Sequence, residues 1–373
     1  MFDVIVLGLG AMGSAAAMHL ARRGARVLGL ERFGPAHDQG SAHGESRLIR
    51  KAYFESPAYV PLLERSYALW DALSADAGTP LLHRAGLVLF GKRAAAASEV
   101  ARAHGVAVEH LSPSQARARF PALRIDDELE ALFEPGAGWL EVERCVRAHL
   151  DAARAASADL RFDEPALAWR ADGASGQIEV ETHRGRHRAG RLVVAAGAWA
   201  PALLADLGLP LQVHRVVQMW FDASPAHDAP CFGFDVGGGF FYGFPRVGGR
   251  VKVADHMARQ AISRPEDVRR EIDAADTRHV EAFVRKHLPH LRTPPVQAKT
   301  CLYTMTPDEH FLVDVHPDHP QVALAAGFSG HGFKFSPVIG EMLADLALEG
   351  RTREDAAFLR LRGTRRDRGS PAG

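Results

Sequence analysis

Three cysteines in 373 residues, Cys145, Cys231 and Cys301, are too few and too scattered for a disulfide framework or a thiolate metal site. Their scarcity predicts a reducing compartment, the cytoplasm. An excess of charge of either sign is missing too. Forty-five Lys and Arg balance forty-five Asp and Glu, which argues against broad electrostatic capture of nucleic acid or of an acidic membrane. No apolar run approaches the roughly 18 residues that a membrane helix needs, and MFDVIVLGLG has no basic region of the kind that opens a signal peptide. No internal repeat and no low-complexity linker divides the chain. The basic stretch RLRGTRRDRG near the C-terminus reads as a solvated terminal segment rather than a nucleic-acid arm.

What is present is an ordinary globular composition, 47% hydrophobic and 24% charged, in a chain long enough for about two domains. FDVIVLG is a short apolar, β-branched run of the kind that makes a buried parallel strand. GLGAMG follows, then the helical SAAAMHLARR stopping at Gly24, then the strand RVLGLE. This is one complete βαβ unit and predicts an α/β fold. Gly8, Gly10 and Gly13 form G-x-G-x-x-G between its strand and helix. The first glycine permits the turn, the second lets backbone approach a pyrophosphate, and the third lets helix pack on strand. Glu31 closes the second strand where an acid binds ribose hydroxyls. The fingerprint alone does not separate FAD from NAD.

Further on, a polar loop is expected through PAHDQGSAHGESR, then an amphipathic helix carrying Val60, Leu63, Tyr67 and Trp70 on one face. A strand is expected at LVLF (87–90), an Ala-rich helix near 94–104, and a loop followed by a helix in GAGWLEVERCVRAHL. RLVVAAGAW (191–199) reads as a buried strand, residues 214–297 as short β runs around one charged helix near 265–287, QVALAAG as a strand, and SPVIGEMLADLAL as a helix. In GSAHGESRLIRKAY, Arg47 and Arg50 have the spacing R-x-x-R beside His43. They read either as solvated loop charges or as a fork for a carboxylate, which lysine cannot match in geometry. GFSG (327–330) suggests a hydrolase elbow, but His331 stands where its last glycine belongs and no histidine follows. His310, His316 and His319 read more simply as strand and turn residues than as metal ligands, and no metal is expected. Cys301, by composition, is a small buried residue.

GSAHGESRLIRKAY, FYGFP, CLYTMTPDEHF and AAGFSGHGFKFS, in this order and within a span reaching to about residue 360, together resemble the monomeric sarcosine oxidase and N-methyltryptophan oxidase family of flavoproteins. The resemblance implies an FAD domain of the p-hydroxybenzoate-hydroxylase type and an interleaved substrate domain with a mainly antiparallel sheet. The expected segments are 1–80, 140–213 and 298–362 for FAD, 81–139 and 214–297 for substrate, and 363–373 as a tail. It also implies a monomer that oxidises an N-methyl or other secondary amino acid with oxygen, yielding an imine and hydrogen peroxide. Alternatives are a flavoprotein dehydrogenase that passes electrons to a carrier, and an NAD-dependent dehydrogenase.

Residue by residue, the resemblance makes Cys301 the thioether anchor of the flavin 8α-methyl group. Arg50 and Lys334 become a substrate-carboxylate pair, and Lys252 the lysine that promotes reaction with oxygen. Arg47 and His43 stand beside the flavin, while Tyr242, His256 and Tyr303 line the substrate cavity. Ser41, Gly330 and Lys334 join Gly8, Gly10, Gly13 and Glu31 in holding FAD. The chain departs from the family pattern at Ala42-His43, Glu45-Ser46, Phe241 and Val253-Ala254-Asp255, which bears on the substrate rather than the cofactor.

Overall fold

In the computed structural model, which describes residues 2–173 and 176–361, Phe2–Leu7 is the central strand of an eight-stranded sheet. The expected tail, 363–373, lies outside the described residues. Val27–Leu30 flanks the central strand on one side and Gly185–Val194 on the other, both parallel to it. Asp159–Arg161 extends the parallel part past Val27–Leu30. The far half of Gly185–Val194 pairs in parallel with Val322–Ala326, and its near half pairs antiparallel with Ile178–Thr182.

Alternate residues of the central strand feed two cores, Val4 and Val6 on one face and Ile5 and Leu7 on the other. Over the first face lie the helices Ala11–Arg22, Val142–Ala155 and Ser336–Glu349. Ala11–Arg22 and Ser336–Glu349 cross so closely that a Cβ on Gly340 would stand 2.5 Å from that of Ala15. The amphipathic helix is Val60–Asp76, and all four residues expected on its inner face are buried.

A second, nine-stranded sheet is built around the long strand Gln212–Asp222. Its other members include Leu87–Phe90, Ala131–Glu134, Cys231–Val236, Gly239–Gly243, Arg250–Asp255 and Gln297–Met305. All its pairings are antiparallel except that of Cys231–Val236 with Leu87–Phe90. An aromatic core fills one face, where Phe283 of the helix Ala274–His287 stacks on Phe241 at 4.2 Å. Gln297–Met305 pairs along Gln212–Asp222, so the expected boundary at 298 falls at the start of a strand of this sheet.

Three expectations about local structure are corrected. The arginine stretch is not all loop: Ser46–Ile49 is a strand, and its partner Gly138–Glu141 opens the segment expected to begin as a loop. Each strand supplies the other's backbone partners from about ninety residues away, which no local pattern reveals. The charged helix near 265–287 is shorter, Ala274–His287, because the Asp273 carboxylate caps it by accepting from the Ala275 and Asp276 amides. The strand expected over 191–199 is Gly185–Val194, and Gly197–Trp199 turns into a short 3₁₀ segment.

Candidate active site

The turn after the central strand needs its glycines for three different reasons. Gly8 has φ +84° and lies against the backbone of Ala195 and Ala196. A Cβ on Gly13 would stand 1.8 Å from the Gly8 carbonyl oxygen, so only glycine lets helix meet strand here. A Cβ on Gly10 would meet nothing within 4 Å and would project into open space. The helix Ala11–Arg22 has no side-chain cap and no acid in its first turn, which leaves its leading amides free for an anion. Glu31, buried at the end of Val27–Leu30, accepts from the Leu9 amide at 2.7 Å and the Phe33 amide at 3.1 Å.

From this turn a cavity of about 770 Å³ runs past Glu31, Ser41 and Arg47 to Tyr303, Gly330 and Phe333. Such a volume belongs to the ~300–1,000 Å³ range of cofactor clefts. The residues present fit FAD. Gly10 leaves the space that a pyrophosphate needs, and the helix offers free amides. His43, next in the chain to the lining residue Ala42, is buried with neither ring nitrogen partnered among the described residues. Gly330, at φ +79°, lies so close to the Tyr303 ring that a Cβ would stand 2.4 Å from it.

The arginine segment is held by two carboxylates. Glu143 accepts from the Gly44 and Glu45 amides at 2.7 and 3.0 Å, and buried Glu134 accepts from the Lys51 and Ala52 amides at 2.8 and 3.0 Å. Within this frame Arg47 donates to the Ser41 and Ser46 carbonyls at 2.8 and 2.9 Å, and its Nη2 stands 3.6 Å from Cys301 Sγ. Cys301 faces Val216 across the sheet. Among the described residues the other two cysteines have no such neighbour, and burial pushes the thiols of Cys145 and Cys231 well up. Lys252, opposite Trp220, donates to the Gly44 and Ser46 carbonyls at 2.6 and 2.8 Å. Burial, and after it the Arg47 charge, pulls its ammonium well below the usual lysine range. His43 is pulled down to about 3 by burial, then by Arg47 and Lys252, and is neutral.

Arg50 and Lys334 meet at the ring of Tyr53, with the guanidinium carbon 4.6 Å and Nζ 5.1 Å from its centroid. Both cations are buried. Arg50 Nη2 donates to both oxygens of Glu55, at 2.8 and 2.7 Å. Lys334 donates to the His331 carbonyl at 2.6 Å, and burial, then Arg50, lowers its pKa to about 7. Tyr303 hydrogen-bonds His256 Nδ1 at 3.3 Å and is coupled to Tyr242. Burial raises both phenols and lowers His256 to about 3, so the three are neutral.

The structure thus brings together Arg47, Lys252, Cys301 and His43 in one group, and Arg50 and Lys334 in another. Tyr242, Tyr303 and His256 form a third. Gly13 packs helix to strand and does not line the cavity. Sequence reasoning missed Tyr53, Glu55, Glu134 and Glu143. Tyr53 closes the stretch GSAHGESRLIRKAY and Glu55 follows it by two residues, but nothing in their spacing marked them. The hydrolase reading fails on geometry: buried Ser329 donates to the Gly327 carbonyl and accepts from the Thr306 amide, while both ring nitrogens of His331 have other partners. His310 bonds Tyr59 and His316 bonds Asp206. Among the described residues no group of three or more His, Cys, Asp or Glu side chains is disposed to hold a metal ion.

The family described as FAD dependent oxidoreductase matches residues 3–346. The monomeric sarcosine oxidase of Streptomyces avermitilis is 42% identical, with 94% of each chain covered. The N-methyl-L-tryptophan oxidase of Salmonella arizonae is 36% identical over 96% of this chain and 98% of its own. Among solved structures, NikD, an unusual amino acid oxidase essential for nikkomycin biosynthesis, superimposes with a TM-score of 0.87 at 28% identity, over 96% of this chain and 97% of that one.

Proposed function

This chain belongs to the FAD dependent oxidoreductase family, together with the monomeric sarcosine oxidases and N-methyltryptophan oxidases, and from that premise we propose that it oxidises an N-methyl or other secondary amino acid. The products are an imine and, from oxygen, hydrogen peroxide; an N-methyl imine hydrolyses to formaldehyde and the demethylated amino acid. The observation that carries this reading is the pair of buried cations, Arg50 and Lys334, against one tyrosine ring, with Lys334 following Phe333 of the lining of a dinucleotide-sized cavity. Glu55 supplies one carboxylate, to Arg50; Lys334 has no ion pair among the described residues, and a buried cation needs an anion, which the carboxylate of an amino acid supplies.

When bound, FAD supplies the two-electron acceptor for C–N oxidation and passes the electrons to oxygen. Gly8, Gly10, Glu31, Ser41 and Gly330 would hold it, with Gly13 fixing the turn. Arg50 and Lys334 clamp the substrate carboxylate and orient the amine. The surrounding positive charge disfavours a protonated amine and so presents the neutral one. Tyr242, Tyr303 and neutral His256 line the substrate side without adding charge. Lys252 keeps one donor beyond its two carbonyl partners, and so places a proton and positive charge where reduced oxygen gains negative charge. The amide end of the helix Ser336–Glu349 adds its dipole beside Phe333.

Cys301 is the proposed covalent anchor, the one cysteine with a guanidinium beside it among the described residues. The same reading assigns 1–80, 140–213 and 298–362 to cofactor binding and 81–139 and 214–297 to substrate, in a monomeric, cytoplasmic enzyme. Acid-precipitated protein is expected to stay yellow, and Cys301→Ser to release its flavin; a colourless wild-type precipitate overturns the covalent anchor. Anaerobic mixing with a panel of N-methyl and cyclic amino acids tests the activity: at least one should bleach the flavin, and bleaching by none overturns it.

A further inference from the structure

We propose that Tyr53 and His331 are positioning residues that hold the Lys334 side chain in place for a carboxylate, through a hydrogen-bonded chain running in one direction only. The proposal rests on the reading of Lys334 as part of a carboxylate clamp.

The direction of the chain follows from its far end. His331 Nε2 stands 3.0 Å from the Glu309 carbonyl oxygen, which only accepts, so this nitrogen carries the proton. Nδ1 is then the acceptor, and the Tyr53 hydroxyl, 2.6 Å away, must donate to it. With its proton committed, the Tyr53 oxygen turns a lone pair to Lys334 Nζ, 3.4 Å away. The His331 carbonyl takes a second proton of the ammonium at 2.6 Å. An ammonium has three donors, so one remains for a ligand.

The backbone of Lys334 is fixed as firmly as its tip. Its carbonyl accepts from Ser66 Oγ at 2.5 Å and Trp70 Nε1 at 3.0 Å, both on the helix Val60–Asp76. Tyr53 is fully buried and wedged edge-on against Tyr59 and Phe335, so its hydroxyl has little freedom. Arg50 lies against the same ring, which ties the spacing of the two cations to one side chain.

The charged and titratable groups facing Lys334 are Arg50, Arg47 and Glu55, with Tyr53 and His331 in contact and His310 beyond His331. With the Lys334 pKa at about 7, the ammonium is lost as pH rises through neutrality. The Tyr53 oxygen favours the charged form, so removing it moves that loss to lower pH.

Acetate is the probe, since it has a carboxylate but no amine to titrate. Its Kd is read from the flavin absorbance of the holoenzyme between pH 6 and 9. Wild-type affinity should fall above about pH 7, the value of the lysine. Tyr53→Phe should weaken binding roughly three- to tenfold, the order expected for one ordinary hydrogen bond, and shift the fall to lower pH. His331→Leu should do the same, whereas His331→Asn, whose amide oxygen replaces Nδ1, should recover much of the affinity. If Tyr53→Phe and His331→Leu keep the wild-type curve while Lys334→Met loses it, the positioning role is overturned and the clamp stands. If Lys334→Met also binds acetate as wild type does, the clamp itself is wrong. An unchanged flavin spectrum in each variant verifies that the site is folded.

Discussion

At the glycine-rich turn the cavity meets backbone amides and the Glu31 carboxylate, with Arg32, His37, Arg264 and Glu266 also in its lining. Away from it stand four cationic side chains drawn from three distant stretches of chain, Arg47, which lines the cavity, and the buried Arg50, Lys252 and Lys334, which do not. The first end is made by close approach: glycines let a helix and a strand touch and leave space for a ligand. The second is made by burial of charge, with carbonyls and carboxylates arranged to hold cations that would otherwise be expelled. Lys252 and Lys334 both lean on main-chain oxygens, and burial pulls both below the normal lysine range. A geometric end suits a phosphate-bearing cofactor whose shape is constant. An electrostatic end suits chemistry that must change charge during a turnover.

Substitutions can break this comparison, and the largest effect is expected at its geometric end. Gly13→Val should yield no stable flavoprotein, because its Cβ would stand 1.8 Å from a carbonyl oxygen. Gly10→Val should fold with a near-normal thermal transition yet contain no flavin, since its side chain meets only the space the cofactor needs. A yellow Gly10→Val protein would remove this turn from the cofactor site. Next in size is Lys252→Met, expected to slow reoxidation of the reduced enzyme by roughly a hundredfold and flavin reduction far less. Stopped-flow traces of the two half-reactions measure the split, and equal slowing contradicts the assigned role.

A smaller effect is expected at Glu55, which holds the Arg50 guanidinium in the absence of a ligand. Glu55→Gln removes the competing anion and should tighten acetate binding by roughly two- to fivefold, the scale of a partly exposed ion pair. A separate effect, on stability rather than on binding, concerns His149, buried on the helix Val142–Ala155 against Trp70, with neither ring nitrogen partnered among the described residues. Burial lowers its pKa to about 3, against ~6.5 in the unfolded chain. Between those values the unfolded chain takes a proton that the native protein refuses, so stability falls as pH falls through the window and is unaffected above it. His149→Phe should therefore lessen the loss of stability between pH 7 and pH 5 by about 2 kcal/mol, as read from denaturant unfolding at the two pH values.

The two ends were not equally legible before the fold was known. Gly8, Gly10, Gly13 and Glu31 lie within one βαβ unit, and the Leu9–Glu31 contact spans 22 residues. Local periodicity and turn chemistry therefore suffice to place them. The Lys252 contact with Gly44 spans 208 residues and the Lys334 contact with Tyr53 spans 281. Resemblance could name these lysines, but nothing in their own surroundings predicted their partners. The arginine stretch was misread as loop for the same reason, since the strand that orders it comes from Gly138–Glu141. Glu134 and Glu143, which hold that stretch by its amides, carry no motif at all.

By itself, then, the chain determined the dinucleotide turn and the order of its main strands and helices. Those follow from forces acting over a few residues: backbone sterics, helix capping and the periodicity of burial. Only the tertiary structure decided that Arg47 should stand beside Cys301, that Ser46 should offer its carbonyl to both Arg47 and Lys252, and that Lys334 should end against Tyr53. Those arrangements depend on sheet register and on helix packing across hundreds of residues: a one-residue slip of Ser46–Ile49 would turn Arg47 to the wrong face, and the turn that carries Lys334 is held by Ser66 and Trp70.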